Sequence, residues 1–396
     1  MPVFRPSNPM NGAFSWTTAA TAWPLNLPSK PTKCGRTKIQ KNLRKPPMIF
    51  ASDNWAGAHP KIAASLSAHS DGFASAYGSS DLDRAVTDRF SILFEREVAV
   101  FFVATGTAAN SLSLAAFAKP GGVSFCHSEA HMVADECGAP EYLTGGARLC
   151  PVEGPLGRID PTKLETAIGR YPAQFVHAGR PMAVSITQAT EVGTVYSLDQ
   201  IEGISAVAKR HQLPLHLDGA RFANALVSLD ATPADMTWRR GVDVVSFGGT
   251  KNGCWCAEAV VLFDLDRARE FAFIQKRAAQ LFSKARFVSA QFLAYFDGGL
   301  WLDVARHSNA MARRLADRVR GSRSARLAWE PEANEVFVVI AKDVADRQRE
   351  TGAVFYPWQA PGGFSGKIEA DEAMYRFVTS FATTVEDIDK FGELLG

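Results

Sequence analysis

The chain of 396 residues is 46% hydrophobic and 21% charged, which is ordinary for a globular protein with a sizeable core. A net charge of +2 gives no reason to expect nucleic acid or an anionic membrane as a partner. The six cysteines form no C-x-x-C pair and no zinc-finger spacing, so we expect reduced thiols in a cytoplasmic protein and no structural metal.

Residues 1–47 are rich in proline, serine and threonine and show neither helical nor strand periodicity. Residues 1–52 carry eight basic side chains and no acidic one, which leaves 35 basic and 41 acidic side chains in the remainder. Because such a segment buries little apolar surface, we predict a disordered extension over 1–47 ahead of ordered structure from Met48. An organelle transit peptide is the alternative that this acid-poor composition leaves open.

From about residue 80, short apolar runs alternate with longer amphipathic ones. The longest uncharged run after the N-terminal 52 residues, 98–118, reaches transmembrane length, but T-G-T at 105–107 divides it into a buried strand, a tight turn and a helix. Ser197 and Gln200 form a capping-box pattern at the start of another helix. In chain order, the predicted helices cover 81–94, 107–118, 131–142, 198–211, 220–229, 266–282 and 304–319, with others starting at 161 and 385, and the predicted strands cover 98–103, 122–126, 182–187, 213–217, 242–247 and 259–263, with another starting at 335.

This alternation predicts an α/β fold with a mostly parallel central sheet covered on both faces. We expect residues 48–300 to form a large domain, whose first residues pack on a smaller one. Residues 301–396 are predicted to be that smaller C-terminal α+β domain. The helix over 266–282 is expected to connect the two.

In an open parallel sheet, ligands bind beyond the carboxyl ends of the strands. T-G-T at 105–107 lies at such an end, where Gly106 permits close backbone approach and the helix N-terminus attracts a phosphate. Thr107 adds a hydroxyl group. The signal is weak alone, since strand-to-helix turns are common, and neither a G-x-G-x-x-G nor a P-loop motif occurs. Nicotinamide enzymes and NTPases are therefore disfavoured.

Two further segments follow apolar strands, L-H-L-D-G-A-R at 215–221 and S-F-G-G-T-K-N-G at 246–253. Asp218 is either a helix cap or the carboxylate that keeps a pyridine nitrogen protonated. Lys251 is either a solvated surface charge or the amine that forms a Schiff base with pyridoxal phosphate (PLP). Residue type and position alone leave both alternatives open.

Six segments in a characteristic order carry a family resemblance. They are A-S-D-N at 51–54, A-Y-G at 76–78, T-G-T-A-A-N at 105–110, E-A-H at 129–131, H-L-D-G-A-R at 216–221 and Y-R-F-V-T at 375–379. Over residues 50–395 the chain resembles the low-specificity L-threonine aldolases, PLP-dependent enzymes of the aromatic amino acid β-eliminating lyase group. The resemblance implies the PLP-dependent transferase-like (fold type I) architecture.

The resemblance also implies roles for individual residues. Lys251 would bind PLP covalently, Asp218 would pair with the pyridine nitrogen and His131 would stack on the ring. The phosphate would be bound by Gly106 and Thr107, helped by Arg286 of a neighbouring subunit. Ser52, Arg221 and Arg376 would hold the substrate carboxylate, and Tyr77 would also contact the substrate. Glu136 lies in a matching segment.

One departure concerns the proton chemistry. Many family members have a second active-site histidine in an N-T-H-N-G segment, whereas A-T-E-V-G here puts Glu191 at that position. The base that takes the β-hydroxyl proton is therefore His131, Glu191 or a water molecule. His127 and His131 are four residues apart, but no H-E-x-x-H motif accompanies them, so no metal is expected.

The implied reaction is retro-aldol cleavage of the Cα–Cβ bond of L-threonine and L-allo-threonine to glycine and acetaldehyde. An aldolase that prefers L-phenylserine is the nearest alternative; a transaminase and a non-catalytic PLP-fold binding protein are more distant ones. The family also implies a homotetramer with active sites shared between subunits, acting on a small amino acid. The cysteines and the net charge favour a cytoplasmic protein that binds neither nucleic acid nor membrane.

Overall fold

The computed structural model describes residues 47–172 and 174–395. Apart from Pro47, the extension predicted over 1–47 lies outside the described residues. Within the described ranges, no helix is long and apolar enough to cross a membrane. This agrees with the division of the run 98–118 into strand, turn and helix.

The elements follow the predicted alternation. The strands are β1 (Met48–Ile49), β2 (Ala99–Val103), β3 (Gly122–His127), β4 (Arg148–Val152), β5 (Arg180–Thr187), β6 (Leu215–Gly219), β7 (Val244–Gly248), β8 (Glu258–Leu262), β9 (Ala325–Leu327), β10 (Glu335–Ala341), β11 (Ala353–Val354), β12 (Tyr356–Pro357) and β13 (Glu372–Val378). The helices are α1 (Pro60–Ala68), α2 (Asp81–Leu93), α3 (Gly106–Ala115), α4 (His131–Ala134), α5 (Ala139–Leu143), α6 (Pro161–Gly169), α7 (Leu198–Arg210), α8 (Phe222–Leu229), α9 (Pro233–Met236), α10 (Leu265–Arg277), α11 (Arg286–Phe296), α12 (Leu300–Arg320), α13 (Lys342–Glu350) and α14 (Val385–Glu393).

The central sheet has the strand order β2-β8-β7-β6-β5-β3-β4. Only β8 runs antiparallel to its neighbours; the other adjacent pairs are parallel. Every residue of β3, β6, β7 and β8 is buried, as expected for a sheet covered on both faces. The predicted α/β class and mostly parallel sheet are confirmed. The edge strand β4 escaped prediction, since Pro151 interrupts its apolar pattern and is tolerated because no further strand pairs beyond it.

A second, antiparallel sheet has the order β12-β13-β10-β9. Its register places Phe337 opposite Arg376 and Glu335 opposite Val378. β1 pairs with β11, and Met48 and Phe50 are buried in the core of this second sheet. Residues 48–50 thus pack on the C-terminal part of the chain.

The helix that joins the two cores is α12, not the helix predicted over 266–282. α10 ends at Arg277 and is followed by α11, which the sequence prediction missed. Trp301 at the start of α12 lies in the core of the large sheet, whereas Leu315 and Val319 lie in that of the second sheet. The described residues belong to one compact unit, so the domain division after residue 300 remains a prediction.

Caps and breaks explain where helices start and end. The capping box of Ser197 and Gln200 at the start of α7 is confirmed. The helix predicted over 131–142 is instead two short helices, α4 and α5. Gly138 separates them with a φ of +76°, a backbone conformation that glycine adopts without strain.

An aromatic cluster fills the space between the large sheet and the helices beside it. Phe90 packs edge to face against Phe247, Phe292 and Phe296 at centroid distances of 5.1, 5.3 and 5.0 Å. We expect Phe90→Ala to lower the free energy of unfolding by about 3–5 kcal/mol, since it leaves a cavity among rigid rings. Urea unfolding measures this change, and Phe273→Ala on the solvent side of α10 is the matched control. Equal losses in both variants would contradict the assigned core.

Candidate active site

A cavity of about 320 Å³ lies at the carboxyl ends of β6 and β7 and at the N-terminus of α3. It is lined by Asn54, Ala104, Thr105, Gly106, Thr107, Asn110, His131, Glu136, Asp218, Ala220, Thr250, Lys251, Trp255, Cys256 and Glu258. Five residues predicted from the sequence, Gly106, Thr107, His131, Asp218 and Lys251, therefore meet on one cavity. Their positions agree with the rule that parallel sheets bind ligands beyond their strand ends.

Lys251 lies in a single turn of 3-10 helix, Thr250–Asn252, two residues after β7. The neighbouring Asn252 is buried and anchors this turn, since its Nδ2 donates to Tyr295 Oη at 2.7 Å and to the Trp301 carbonyl at 2.8 Å. The backbone of Lys251 is thus held in place. A solvated surface lysine does not require such an anchor, whereas an amine that binds a ligand does.

The N-terminus of α3 forms one end of the cavity. Thr105 caps this helix, and its Oγ1 accepts a hydrogen bond from the Ala108 N–H at 3.1 Å. A Cβ at Gly106 would meet no protein atom within 4 Å, so the backbone is open to a ligand there. Free N–H groups and the positive end of the helix dipole make this a suitable phosphate site.

Asp218 lies within β6, opposite Ser246 of β7, rather than one residue beyond the strand as predicted. It does not cap α8, whose N-cap residue is Arg221. Asp218 Oδ1 accepts from the Ala220 N–H at 3.0 Å. Burial is the main cause that raises the pKa of Asp218, and a cation placed beside it would oppose that shift.

A hydrogen-bond network joins Asp218 to His131. The Nδ2 of Asn110 donates to Asp218 Oδ2 at 2.9 Å and to Glu136 Oε1 at 2.8 Å. Glu136 Oε1 also lies 2.9 Å from His131 Nδ1. This hydrogen bond is the main cause that raises the pKa of His131, while burial raises the pKa of Glu136. The network orients the histidine ring and leaves its Nε2 for a ligand.

Glu191 is buried and does not line the cavity. Burial alone would raise its pKa, but the charges of Lys251 and Arg221, together with those of His131 and Arg376, hold it below its ordinary value. A carboxylate with a lowered pKa is a weak proton acceptor. The electrostatic neighbourhood nonetheless places Glu191 close to the other predicted residues.

Arg221 and Arg376 also lie outside the cavity lining. Arg221 is buried and forms a two-point ion pair with Asp53, from Nε to Oδ2 at 2.8 Å and from Nη2 to Oδ1 at 3.1 Å. The Arg376 guanidinium lies 4.1 Å from the centre of the Trp358 ring. Both arginines contact Glu335, at 3.3 Å from Arg221 and 3.5 Å from Arg376.

The remaining predicted residues occupy other positions. Ser52 caps the 3-10 turn Asp53–Trp55, and its Oγ accepts from the Asn54 N–H at 3.1 Å. Tyr77 is 56% exposed and borders a different cavity. Arg286 donates to the carbonyl of Gly72 at 3.1 Å and borders a third cavity. Within this chain, neither Tyr77 nor Arg286 reaches the cavity of Lys251.

Several residues of the site were missed by sequence reasoning. Asp53 and Asn110 lie inside two of the motifs that carried the family resemblance, which was the available signal. Glu258 opens a buried strand and gave no signal; burial raises its pKa to about 7. Trp255, whose side chain is 66% exposed, and Glu335 were likewise not predictable from sequence pattern alone.

The residues of this cavity fit PLP. The cavity offers one ligand an amine, a buried carboxylate and the N-terminus of a ten-residue helix. Within the described part of the chain, Asn110 Oδ1 and Glu136 Oε2 are buried polar atoms without a hydrogen-bond partner. The same part of the chain contains no cluster of three or more His, Cys, Asp and Glu side chains that could hold a metal ion.

Comparison with known proteins agrees with this geometry. Residues 50–343 match the family model described as beta-eliminating lyase. A low specificity L-threonine aldolase of Pseudomonas aeruginosa is 39% identical over 86% of this chain and 94% of its own length. A protein of the same name from another Pseudomonas strain is 39% identical over 83% of this chain and 94% of its own.

Solved structures agree as well. The Leishmania major threonine aldolase superposes with a TM-score of 0.81 at 27% identity, covering 88% of this chain and 98% of its own. An Oryza sativa structure described as TDC with PLP shares the fold, with a TM-score of 0.66 at 14% identity over 88% of this chain and 82% of its own. These matches confirm the predicted fold type I architecture and the PLP-dependent class. The chain therefore belongs to the β-eliminating lyase family, with low specificity L-threonine aldolases among its relatives.

Proposed function

We propose that this protein is a PLP-dependent aldolase that cleaves L-threonine and L-allo-threonine to glycine and acetaldehyde. The observation that carries the proposal is the meeting of Lys251, Asp218, His131 and the N-terminus of α3 on one cavity. The curated relatives from Pseudomonas, which match nearly the whole described chain, are named for this activity.

PLP, when bound, supplies an electron-withdrawing ring that accepts the electron pair of the broken Cα–Cβ bond. Lys251 would hold it covalently, and Asp218 would keep its pyridine nitrogen protonated. Gly106 and Thr107 would bind its phosphate through the α3 N-terminus. His131 would lie against the ring, with its orientation fixed by Glu136.

Ser52, Arg221 and Arg376 would bind the substrate carboxylate. Among the described residues, the buried atoms Arg221 Nη1 and Arg376 Nε have no hydrogen-bond partner, so each guanidinium keeps a donor for a ligand. A carboxylate held at two points cannot rotate freely, and this fixes which bond at Cα faces the ring. Asp53 holds Arg221 in place from behind.

His131 is the group that we assign to the β-hydroxyl proton. It lines the cavity and its Nδ1 is engaged by Glu136, so Nε2 is free to accept a proton. Glu191, which is outside the lining and has a lowered pKa, would act as a fixed negative charge beside Lys251 and His131. Among the proton acceptors left open by the sequence, we therefore propose His131.

Replacing Glu136 by glutamine is expected to move the acid limb of the pH–kcat profile to lower pH. Glutamine retains an acceptor for His131 Nδ1 but removes the charge, so the pKa of His131 falls and its neutral form persists to lower pH. Glu129→Gln, in the same loop and without that hydrogen bond, is the control. An acid limb that stays in place in E136Q would remove Glu136 from this role.

An aldolase that prefers L-phenylserine is the second candidate. No phenylalanine lines the cavity, and most phenylalanines in the described part of the chain belong to its core clusters. The exposed ring of Trp255 is the apolar surface that a phenyl group would contact. Parallel rates on L-threonine and L-phenylserine separate the candidates, and Trp255→Ala should lower the rate on L-phenylserine more than that on L-threonine.

We propose a homotetramer in which Arg286 and Tyr77 complete the site of a neighbouring subunit. Both are remote from this chain's own cavity, and the exposed rings of Trp55, Phe73 and Tyr77 form apolar surface suited to a partner. A fully active monomer in sedimentation would contradict this.

A cytoplasmic location is also proposed, since Cys126 and Cys150, like the other described cysteines, are free thiols.

The proposed reaction is tested on the purified protein loaded with PLP. It should release acetaldehyde and glycine in equal amounts from both threonine diastereomers. Release of ammonia with a keto acid, or amino transfer to a keto acid without aldehyde, would identify a different PLP reaction and overturn the proposal.

A further inference from the structure

Glu335 occupies an unusual position between the two arginines proposed for the substrate carboxylate. Its side chain is fully buried at the start of β10. The same oxygen, Oε1, lies 3.3 Å from Arg221 Nη2 and 3.5 Å from Arg376 Nη1. Arg221 is the N-cap residue of α8, which follows β6 of the large sheet, and Arg376 lies on β13 of the antiparallel sheet, so this carboxylate joins the two parts of the subsite.

The loop that carries Glu191 fixes the position of Glu335. Gly193 has a φ of +72°, and a Cβ there would come within 2.9 Å of Glu335 Cβ and 3.0 Å of its carbonyl oxygen. Asn334, the preceding residue, donates to Asp53 Oδ2 at 3.1 Å. Glu335 therefore has little room to move away when a ligand arrives.

This cluster has no surplus of positive charge with which to bind an anionic ligand. The cations Arg221 and Arg376, with Lys251 nearby, are already matched by three carboxylates, those of Asp53, Glu191 and Glu335. A substrate carboxylate adds one more negative charge in a buried place. Burying uncompensated charge is costly, so a proton should enter with the ligand.

A buried carboxylate oxygen without a hydrogen-bond partner indicates where that proton goes. Among the residues that the structure describes, Glu335 Oε2 is buried and lacks a hydrogen-bond partner. Burial raises the pKa of Glu335; the charges of Arg221 and Arg376 oppose this shift, and those of Glu191 and Asp53 add to it. A negative ligand on the same arginines would raise this pKa further.

We propose that Glu335 is a positioning residue that holds Arg221 and Arg376 together and takes up one proton from solvent on Oε2 when an amino-acid carboxylate binds to them. The inference rests on the proposed function, because that function supplies the carboxylate ligand. Protonated Glu335 no longer competes for the arginines, and its Oε2–H becomes a donor toward the ligand.

The test is calorimetric titration of the PLP-loaded enzyme with glycine in buffers of different ionisation enthalpy. The wild type should take up about one proton per site more than Glu335→Gln, at a pH above the pKa of Glu335 in the free enzyme. The slope of log Kd for glycine against pH should also be smaller by about one in E335Q, which is about tenfold in affinity per pH unit. Glu332→Gln, whose partner Arg158 lies outside the cluster, should behave as the wild type.

A ligand comparison on the wild type covers the case in which E335Q does not fold. Glycinamide carries the amine but no carboxylate, so at a pH below the pKa of both amines it should bind without the extra proton. Equal proton uptake for glycine and glycinamide, or for wild type and a folded E335Q, would overturn the role of Glu335. By contrast, a wild type whose cofactor absorption does not respond to glycine at all would overturn the proposed function itself.

Discussion

Replacing Lys251 by alanine is expected to lower kcat for threonine cleavage by on the order of 10⁴-fold or more. Lys251 supplies the amine of the cavity, and its backbone is anchored by Asn252 rather than free in solvent. Without Lys251, PLP would be held by non-covalent contacts alone. The variant would also lack the lysine amine that displaces the glycine product from PLP. The loss should therefore affect both turnover and the covalent retention of the cofactor.

Two measurements separate these effects for Lys251→Ala. Stopped assays of acetaldehyde give kcat, and reduction with borohydride followed by mass spectrometry reports the covalent link to the chain. Lys163→Ala on α6, which removes an exposed lysine outside the cavity, is the control and should match the wild type in both. Full turnover by K251A, or a borohydride-fixed cofactor on another lysine, would contradict the assignment.

Replacing His131 by phenylalanine is expected to lower kcat by on the order of 10²–10⁴-fold, the range of general acid–base catalysis, with a much smaller change in KM. Phenylalanine would keep the flat ring that is proposed to lie against PLP, but it has no nitrogen to accept the β-hydroxyl proton. The acid limb of the pH–kcat profile should disappear with it. In the wild type, this limb should lie above the ordinary pKa of histidine because Glu136 raises the pKa of His131.

Glu191→Gln is the informative comparison for the histidine variant. If Glu191 is a fixed charge, its loss changes the ratio of rates on L-threonine and L-allo-threonine and leaves the acid limb in place. A hundredfold loss in E191Q together with near-normal turnover in H131F would exchange the two roles. Rates on both diastereomers across pH, measured for both variants, decide between them.

The sequence predicted the parts of the site that lie at strand ends. In a parallel sheet the carboxyl ends share one edge, so Asp218, near the end of β6, and Lys251, just after β7, were expected at the same edge. Gly106 and Thr107 follow the same logic at the start of α3. The family resemblance then favoured a cofactor site over a helix cap and a surface lysine.

The rest depends on contacts between distant segments, which local pattern does not encode. Asp53 and Arg221 form their ion pair across 168 residues of sequence. Glu335 reaches Arg376 because β10 and β13 pair in one particular register. Likewise, α12 joins two cores because its buried face continues from Leu300 to Val319, and local periodicity does not show whether such a face serves one core or two.

The boundaries that the prediction misplaced have local physical causes. The strand containing Asp218 extends two residues further than its apolar run, because Asp218 and Gly219 still pair with β7. The helix predicted over 131–142 breaks at Gly138. That break places Glu136 in the turn between α4 and α5, where its carboxylate meets His131.

Release of aldehyde from the two threonine diastereomers and from L-phenylserine, with and without added PLP, tests the central claim most directly. The proposed function predicts PLP-dependent formation of acetaldehyde and glycine in equal amounts from both threonines, faster than benzaldehyde from L-phenylserine, and none of these products from Lys251→Ala. A PLP-loaded, folded protein that releases no aldehyde from any of the three amino acids would contradict it.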